Sequence, residues 1–454
     1  MDIEVIILAA GQGTRMKSDK PKVLHGLGGQ SMLEHVISTA QKLDAMKIHV
    51  VYGHGGDQVQ QTLGHMDVDW AEQKEQLGTG HAVKQAMPGV SPDSLVLILY
   101  GDVPLIRVQT LEKLIESVSD KQMGLLTTIL DDATGYGRIV RDGNAQVMKI
   151  VEHKDADESV LAIQEINTGI LAAKAVHLQQ WLERLGNNNA QGEYYLTDII
   201  EMSVNDNINV AATTTDDEVE VTGINDKIQL QDMERAFQLR QAQELMREGV
   251  TLADAGRFDL RGVCQTGKDI FIDVNVVMEG QVTLGDRVRL GPNVFLKDVQ
   301  VGDDVEILAN SVLEDATIGA GSRIGPFARI RPETVLSENT HVGNFVEIKK
   351  STVGAGSKVN HLSYIGDTEI GKQVNIGAGT ITCNYDGANK FKTIIGDNAF
   401  IGSDTQLVAP VTVGKGATIG AGSTITRDTP DLKLTLSRSK QITLDNWQRP
   451  QKKK

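Results

Sequence analysis

Cysteine is almost missing from this chain of 454 residues: Cys264 and Cys383 are the only two, and no C-x-x-C pair occurs. That excludes a disulfide framework and a paired-thiolate zinc site, and it fits a reducing cytosol, so a cytoplasmic protein is expected. Positive charge is also in deficit, with 45 Lys and Arg against 60 Asp and Glu for a formal charge of −15. A broad nucleic-acid footprint and a polybasic membrane surface are thereby excluded, and any anion site must be local. Long hydrophobic runs are lacking too. No stretch approaches the roughly 20 apolar residues of a membrane span. The opening MDIEVIILAAGQG has an acidic start and no basic n-region, so it is expected to be neither a secretory leader nor an anchor. The terminal QKKK is read as a solvated tail without function. Aromatic residues make up only 4%, a scarcity that acquires meaning in the second half of the chain.

What is present is an ordinary globular supply of apolar residues, 40%, in two patterns of different period. From residue 3 to about 225, the short apolar runs EVIILAA, IHVVYG and SLVLILYGD end in Gly or an acidic residue, as buried parallel strands do. Between them SMLEHVISTAQKLDA and TGHAVKQAM read as helices, which predicts a doubly wound, Rossmann-like α/β domain. Residues 224–248 contain no Gly or Pro, stop at Gly249, and place Leu230, Met233 and Phe237 on one face. They read as a long linker helix. The expected division is 1–228, a linker helix at 229–249, and 250–454.

Beyond about 265 the period becomes six. Ile270, Val276, Val282, Val288 and Val294 fall six apart, as do Val312, Ile318, Ile324, Ile330, Leu336, Val342 and Ile348, and again Ile395, Ile401, Leu407, Val413, Ile419 and Ile425. A sustained hexapeptide register predicts a parallel β-helix, each aliphatic pointing into a narrow prism with little room for rings. The register slips near 365–370, and the polar TCNYDGANKFKT at 382–393 interrupts it. That insertion is expected to be a loop on a binding face.

Two strand ends carry the candidate chemistry of the first half, since ligands of such sheets bind beyond the carboxyl ends of strands. LAAGQGTRMKSDKPK has Met16 in place of the third glycine of a dinucleotide fingerprint and no Walker A pattern. It reads as a flexible loop whose N–H groups approach a polyphosphate, with Arg15 and Lys22 supplying charge. Asp102, directly after an apolar run, is well placed to hold magnesium on phosphates.

Taken together, LAAGQGTRM, PKVL, EQLGTGHA, YGDVPL, GYGRI, VEHKDA, NTGI, NNAQGEYYLTD and GIND resemble the nucleotide-sugar pyrophosphorylase family. With the hexapeptide half attached, nearly the whole chain resembles the bifunctional N-acetylglucosamine-1-phosphate uridylyltransferases that are also glucosamine-1-phosphate acetyltransferases. The resemblance implies a pyrophosphorylase domain followed by a left-handed β-helix of hexapeptide repeats with a C-terminal tail. It implies that Leu8, Ala9, Ala10, Gly11, Gln73, Gly78 and Thr79 surround the uridine nucleotide, and that Tyr100, Gly101, Gly137, Glu152 and Asn167 line the sugar and ribose side. Asp102 and Asn225 would hold Mg2+, while Arg15 and Lys22 stabilise triphosphate charge.

In the second half the spacing itself brings Arg331 and Lys349, three hexapeptides apart, to one face of adjacent coils, where they could clamp a phosphate. His361 lies two hexapeptides further, on a neighbouring face; a histidine at a β-helix corner is otherwise usually a polar turn residue. The resemblance makes His361 the general base, with Glu347 supporting it. It implies that Arg331, Lys349, Tyr364, Asn375 and Asn384 bind the sugar phosphate. It further implies that Ala378, Tyr385, Ser403, Ala421 and Arg438 bind acetyl-CoA, partly across the boundary of a homotrimer. Cys383 is read as a packed turn residue rather than a nucleophile. The implied activity is two-step synthesis of UDP-N-acetylglucosamine from small-molecule substrates, acetyl-CoA and UTP among them, supplying peptidoglycan and lipopolysaccharide precursors. Two competing readings are a single-activity nucleotidyltransferase with a purely structural β-helix, and a non-catalytic scaffold of the same two modules.

Overall fold

The computed structural model describes residues 2–53 and 55–452, so the last two lysines of the basic tail lie outside it. The chain divides into two compact units, one ending at Phe237 and the other starting at Gln238.

The first unit is built on a nine-stranded sheet. Its main order runs Asn209–Thr214, Gln122–Ile129, Glu165–Lys174, Leu95–Tyr100, Ile3–Leu8, Lys47–Tyr52, Asp69–Glu72. The apolar runs predicted as strands are the central ones, and they are continuous because both faces are covered. Along Ile3–Leu8, Val5 and Ile7 enter one core with Leu33, Val36 and Ile37. Ile6 and Leu8 enter the other, with Ala82, Val83 and Trp181. The expected parallel strands are joined by an antiparallel member, Glu165–Lys174, which pairs with both Leu95–Tyr100 and Gln122–Ile129, and beside it by the antiparallel strands Arg138–Arg141 and Val147–Val151. The sheet is therefore mixed. Glu165–Lys174 bulges between Asn167 and Leu171, where Gly169 takes φ +84°; NTGI supplies the one residue type that adopts this conformation at no steric cost.

The helix at Lys227–Arg247 is core material at both ends. Within the first unit, Leu230, Met233, Ala236 and Phe237 close over Leu27, Met32, Leu105 and Ile224. Glu234 Oε2 accepts from the Gly28 N–H at 2.7 Å. Within the second unit, Ala242 and Leu245 join the β-helix core, and Gln238 exchanges hydrogen bonds with the Leu260 N–H and C=O at 2.7 and 3.0 Å. A chain ended at residue 228 therefore loses Met233 and Phe237 from its core. It is expected to be less stable than one ended at 250 by at least about 3 kcal/mol, read from urea midpoints.

The second unit is a parallel β-helix. Short strands pair with their counterparts one coil away, mostly 17 or 18 residues on: Arg323–Ile324 with His341 and Val342, these with Lys358 and Val359, and so on along three faces. Each coil sends one aliphatic inward per face, so Ile324, Ile330 and Leu336, then Val342, Ile348 and Val353, are all buried in one continuous core. One expected member is corrected. Val312 is only half-buried and Leu313 points inward, because Leu296 pairs with Leu313 across a coil of 17 rather than 18 residues. The 382–393 insertion lengthens one coil to 25 residues, from Thr368 to its partner Thr393. Its tip is closed by a Tyr385–Lys390 bridge and by Asp386 Oδ1 accepting from the N–H groups of Ala388 and Asn389 at 2.8 and 2.6 Å.

Candidate active sites

In the first unit the ends of neighbouring strands open into one cleft. Leu8, Ala9, Ala10 and Gly11 follow the central strand; Gln73 follows Asp69–Glu72; Gly78 and Thr79 start the helix Thr79–Ala86; Tyr100 and Asp102 end Leu95–Tyr100. With Lys22 they line a solvent-open space of about 710 Å³. Gly78 has φ +109°, and a Cβ there would stand 2.7 Å from the Tyr194 carbonyl oxygen, so only glycine lets the chain turn into that helix.

Lys22 is set by the short turn Lys22–Leu24 after Pro21. Its ammonium contacts Asp102 Oδ2 directly and lies 3.1 Å from Asn225 Oδ1. An aspartate and an asparagine 123 positions apart thus turn their oxygens onto one cation. Among the described residues no group of three or more His, Cys, Asp or Glu side chains gathers in metal-binding geometry, here or elsewhere. One carboxylate plus an amide oxygen is a donor set suited to Mg2+, which takes its remaining ligands from phosphates and water. Arg15, on the exposed turn Thr14–Met16, lines an adjoining space of about 740 Å³ together with Tyr100, Asp102 and Asn225.

The remaining expected residues meet behind Tyr100. The Asn167 N–H donates to Gly137 O at 2.9 Å, and a Cβ on Gly137 would lie 3.5 Å from the Glu152 carboxyl. Thr197 Oγ1 donates to Glu152 Oε1 at 3.0 Å. Burial raises the Glu152 carboxyl above the usual range, with Asp155 adding to the effect. Burial also raises the Tyr100 phenol, helped by Glu152 and Asp102, so it stays a neutral hydrogen-bonding group. Two polar lining residues were not singled out from sequence: Glu193, and Gln76, whose Nε2 donates to Ala10 O at 2.8 Å. Both stand inside the quoted motifs EQLGTGHA and NNAQGEYYLTD, which were the available signal.

In the β-helix, Arg331 and Lys349 stand one coil apart at the same corner, as the 18-residue spacing predicts. Arg331 Nη1 pairs with Glu347 Oε1 at 2.7 Å, which holds the guanidinium above its ordinary range. Lys390, from the insertion, crowds Lys349 and with Arg331 pulls its ammonium below the usual lysine range. Three cations against the carboxylates of Glu347 and Asp367 leave this corner with excess positive charge, which suits an anion. Lys390 was missed in the sequence, although its loop was flagged. Tyr364 lies opposite Glu347 on the next coil, and a Cβ on Gly366 would meet both Tyr364 Oη and Asn384 Nδ2 at under 3 Å.

His361 lies at the preceding corner, exposed, its Nδ1 2.9 Å from Asn344 Oδ1. Glu347, expected to support His361, is bonded here to Arg331, and the side chain in contact with the ring is Asn344. Below His361 runs a single column. The Gly379 N–H reaches His361 O, the Asp404 N–H reaches Ala378 O, and the Gly422 N–H reaches Ser403 O. Arg438 Nη1 donates to Ala421 O at 3.0 Å. So His361, Ala378, Ser403, Ala421 and Arg438 share one corner of successive coils. Tyr385 projects from the insertion, 60% exposed. Asn375 is set apart from the Arg331 corner, in the strand Asn375–Ile376 on another face beside Lys358. Burial raises the Cys383 thiol, which leaves it protonated and a poor nucleophile.

Comparison with known proteins gives three family matches: the MobA-like NTP transferase domain over residues 5–139, the GMPPB C-terminal domain over 261–353, and six bacterial transferase hexapeptide repeats over 392–427. A solved nucleotidyl transferase from Methanothermobacter aligns with 53% of this chain and 99% of its own at 20% identity, TM-score 0.39. Bifunctional protein GlmU of Methylococcus capsulatus is 58% identical over 453 residues, covering 100% of this chain and 98% of its own. The chain belongs to the GlmU family. GlmU of Stutzerimonas stutzeri agrees, at 56% identity over the full length of both chains. This GlmU-family chain is accordingly a bifunctional transferase, with a uridylyltransferase half and a left-handed hexapeptide β-helix acetyltransferase half. Together the two halves carry out the two-step synthesis of UDP-N-acetylglucosamine.

Proposed function

We propose which residues perform each step. In the first unit, UTP lies over Leu8–Gly11, Gln73, Gly78 and Thr79, and N-acetylglucosamine 1-phosphate lies against Tyr100, Gly101, Gly137, Glu152 and Asn167. A phosphate oxygen of the sugar attacks the α-phosphorus of UTP, the bond to the β-phosphate oxygen breaks, and pyrophosphate leaves. Lys22 and Arg15 place positive charge beside the leaving group, so the protein contributes position and electrostatics rather than covalent chemistry. Asp102 and Asn225 are the residues to hold Mg2+, which when bound neutralises phosphate charge.

In the second unit, Arg331, Lys349, Tyr364, Asn375 and Asn384 hold glucosamine 1-phosphate. His361 takes the proton of the substrate amine as its nitrogen attacks the thioester carbonyl, and the CoA thiolate leaves. Acetyl-CoA follows the column of Ala378, Ser403, Ala421 and Arg438, flanked by Tyr385. The observation that carries this reading is that column, which joins a potential base to a continuous strip of backbone and small side chains. Glu347 acts through Arg331 by fixing its guanidinium. The separation of the His361 and Arg331 corners fits a homotrimer in which a second chain completes the site. The stacked rings of Phe327 and Phe345 and the side chain of Leu362, all exposed, fit an interface beside His361. The setting we propose is the cytoplasm, with the product feeding peptidoglycan and lipopolysaccharide synthesis.

The test is one reaction containing acetyl-CoA, glucosamine 1-phosphate, UTP and magnesium, followed by product mass. Adding EDTA is expected to stop UDP-N-acetylglucosamine while N-acetylglucosamine 1-phosphate accumulates, and restoring Mg2+ converts the accumulated intermediate. Formation of UDP-N-acetylglucosamine at full rate in EDTA overturns the metal assignment.

A further inference from the structure

We propose that His81 is a positioning residue that sets which nucleobase the first cleft accepts. The inference rests on the reading that Gln73 faces the base, and it deepens that reading by assigning the orientation of the Gln73 amide to a residue outside the cleft.

Gln73 is buried and lines the cleft. A primary amide offers two donors at one end and an acceptor at the other. Both donors of Gln73 are engaged on the protein side. Nε2 lies 3.1 Å from Gly78 O and 3.1 Å from His81 Nδ1. Gly78 O is a carbonyl and can only accept, so the nitrogen end must face it. His81 Nδ1, meeting the second hydrogen of the same nitrogen, must then be the unprotonated ring atom. Among the described residues Oε1 has no protein partner, and it is not sealed from solvent. It is the one hydrogen-bonding atom of Gln73 left for the cleft, and it can only accept.

An acceptor in that place distinguishes pyrimidines. Uracil presents an N3–H donor between its two carbonyls, whereas cytosine presents a bare N3 acceptor in the same position. Oε1 therefore pairs with uracil and opposes cytosine. Without His81, the amide keeps one anchor instead of two, and its flipped form, which offers NH2 to the cleft, sets Oε1 against one acceptor, Gly78 O, instead of two. Behind the ring, Gln85 Nε2 lies 3.1 Å from both His81 Nε2 and the His81 carbonyl oxygen; taking up the hydrogen on His81 Nε2 turns the Gln85 amide oxygen-first and gives up its bond to that carbonyl. Tyr194 lies on the ring's other side, centroids 6.4 Å apart. Leu77, Gly80, Lys84 and Tyr194 surround His81 in a separate cavity, so the residue touches neither the phosphates nor the sugar-side group.

The experiment compares uridylyl transfer with cytidylyl transfer by the full chain, using UTP or CTP with N-acetylglucosamine 1-phosphate and Mg2+. His81→Phe is expected to lower kcat/KM for UTP about tenfold or more through KM, with kcat nearly unchanged, and to leave CTP unchanged or improved. The UTP to CTP ratio falls accordingly. His81→Asn, whose Oδ1 stands in for the acceptor Nδ1, is expected to restore the ratio to within a few-fold; His81→Ala serves if phenylalanine is not accommodated. A fall of UTP and CTP rates by the same factor shows a structural role only and overturns the proposal. Gln73→Ala separates the two levels of inference. If it abolishes discrimination while the His81 variants keep it, the positioning role is refuted and the base site stands. If Gln73→Ala also leaves the ratio intact, the base assignment itself falls.

Discussion

Asp102→Ala is expected to lower uridylyl transfer by about 10²- to 10³-fold while acetyl transfer by the same preparation stays at the parent rate. The carboxylate is one of two oxygen groups turned onto a single cation, and it sits partly buried at a strand end. Removing it takes away the only negatively charged side chain among the described residues that contacts Lys22, and half of the donor set proposed for Mg2+. Phosphates then have to bind a metal held by Asn225 alone. Asp102→Asn keeps the shape and an oxygen but loses the charge, so its deficit should be smaller and partly rescued by raised Mg2+. The second unit has its own hydrophobic core, so the acetyl-transfer assay is an internal control for folding. Parallel loss of both activities in a folded protein would overturn the assignment of Asp102 to one of two sites.

The reciprocal result is expected from His361→Ala. Acetyl transfer should fall by about 10²- to 10⁴-fold, the usual worth of a positioned general base, with uridylyl transfer unaffected when N-acetylglucosamine 1-phosphate is supplied. The residue is exposed and its only polar side-chain partner among the described residues is Asn344, so truncation leaves no buried group unpaired and stability should hardly change. The imidazole, not the fold, is what the variant removes. A His361→Ala protein that acetylates glucosamine 1-phosphate at the parent rate would exclude this base, and attention would turn to the other polar groups of the Arg331 corner.

Much of this architecture was legible because it is written in period. Parallel strands buried on both faces need continuous apolar runs, and EVIIL and SLVLIL have them. A triangular prism needs one small or aliphatic inward residue per six, and the chain supplies that over many coils. Where the period was the whole argument, it failed by one residue at Val312, because a coil can lose a residue at a corner without any change in composition. The antiparallel strand Glu165–Lys174 was equally invisible, since strand direction is decided by which neighbour's hydrogen bonds it completes and not by its own side chains. Glu4 gives a third case. It stands at the head of the run EVIILAA, yet it is fully buried, its carboxylate 2.8 Å from His49 Nε2 and accepting from the Ser91 N–H at 2.9 Å.

The sequence by itself determined the two kinds of fold, the two strand ends that form the first cleft, and the 18-residue pairing of Arg331 with Lys349, because each is a consequence of local periodicity. Only the tertiary structure decided the partners: that Lys22 reaches both Asp102 and Asn225, that Glu347 serves Arg331 while Asn344 serves His361, and that Lys390 swings from an insertion into the Arg331 corner. These contacts join residues far apart in sequence or on different edges of one coil, and side-chain reach across such edges is set by corner geometry that no repeat encodes.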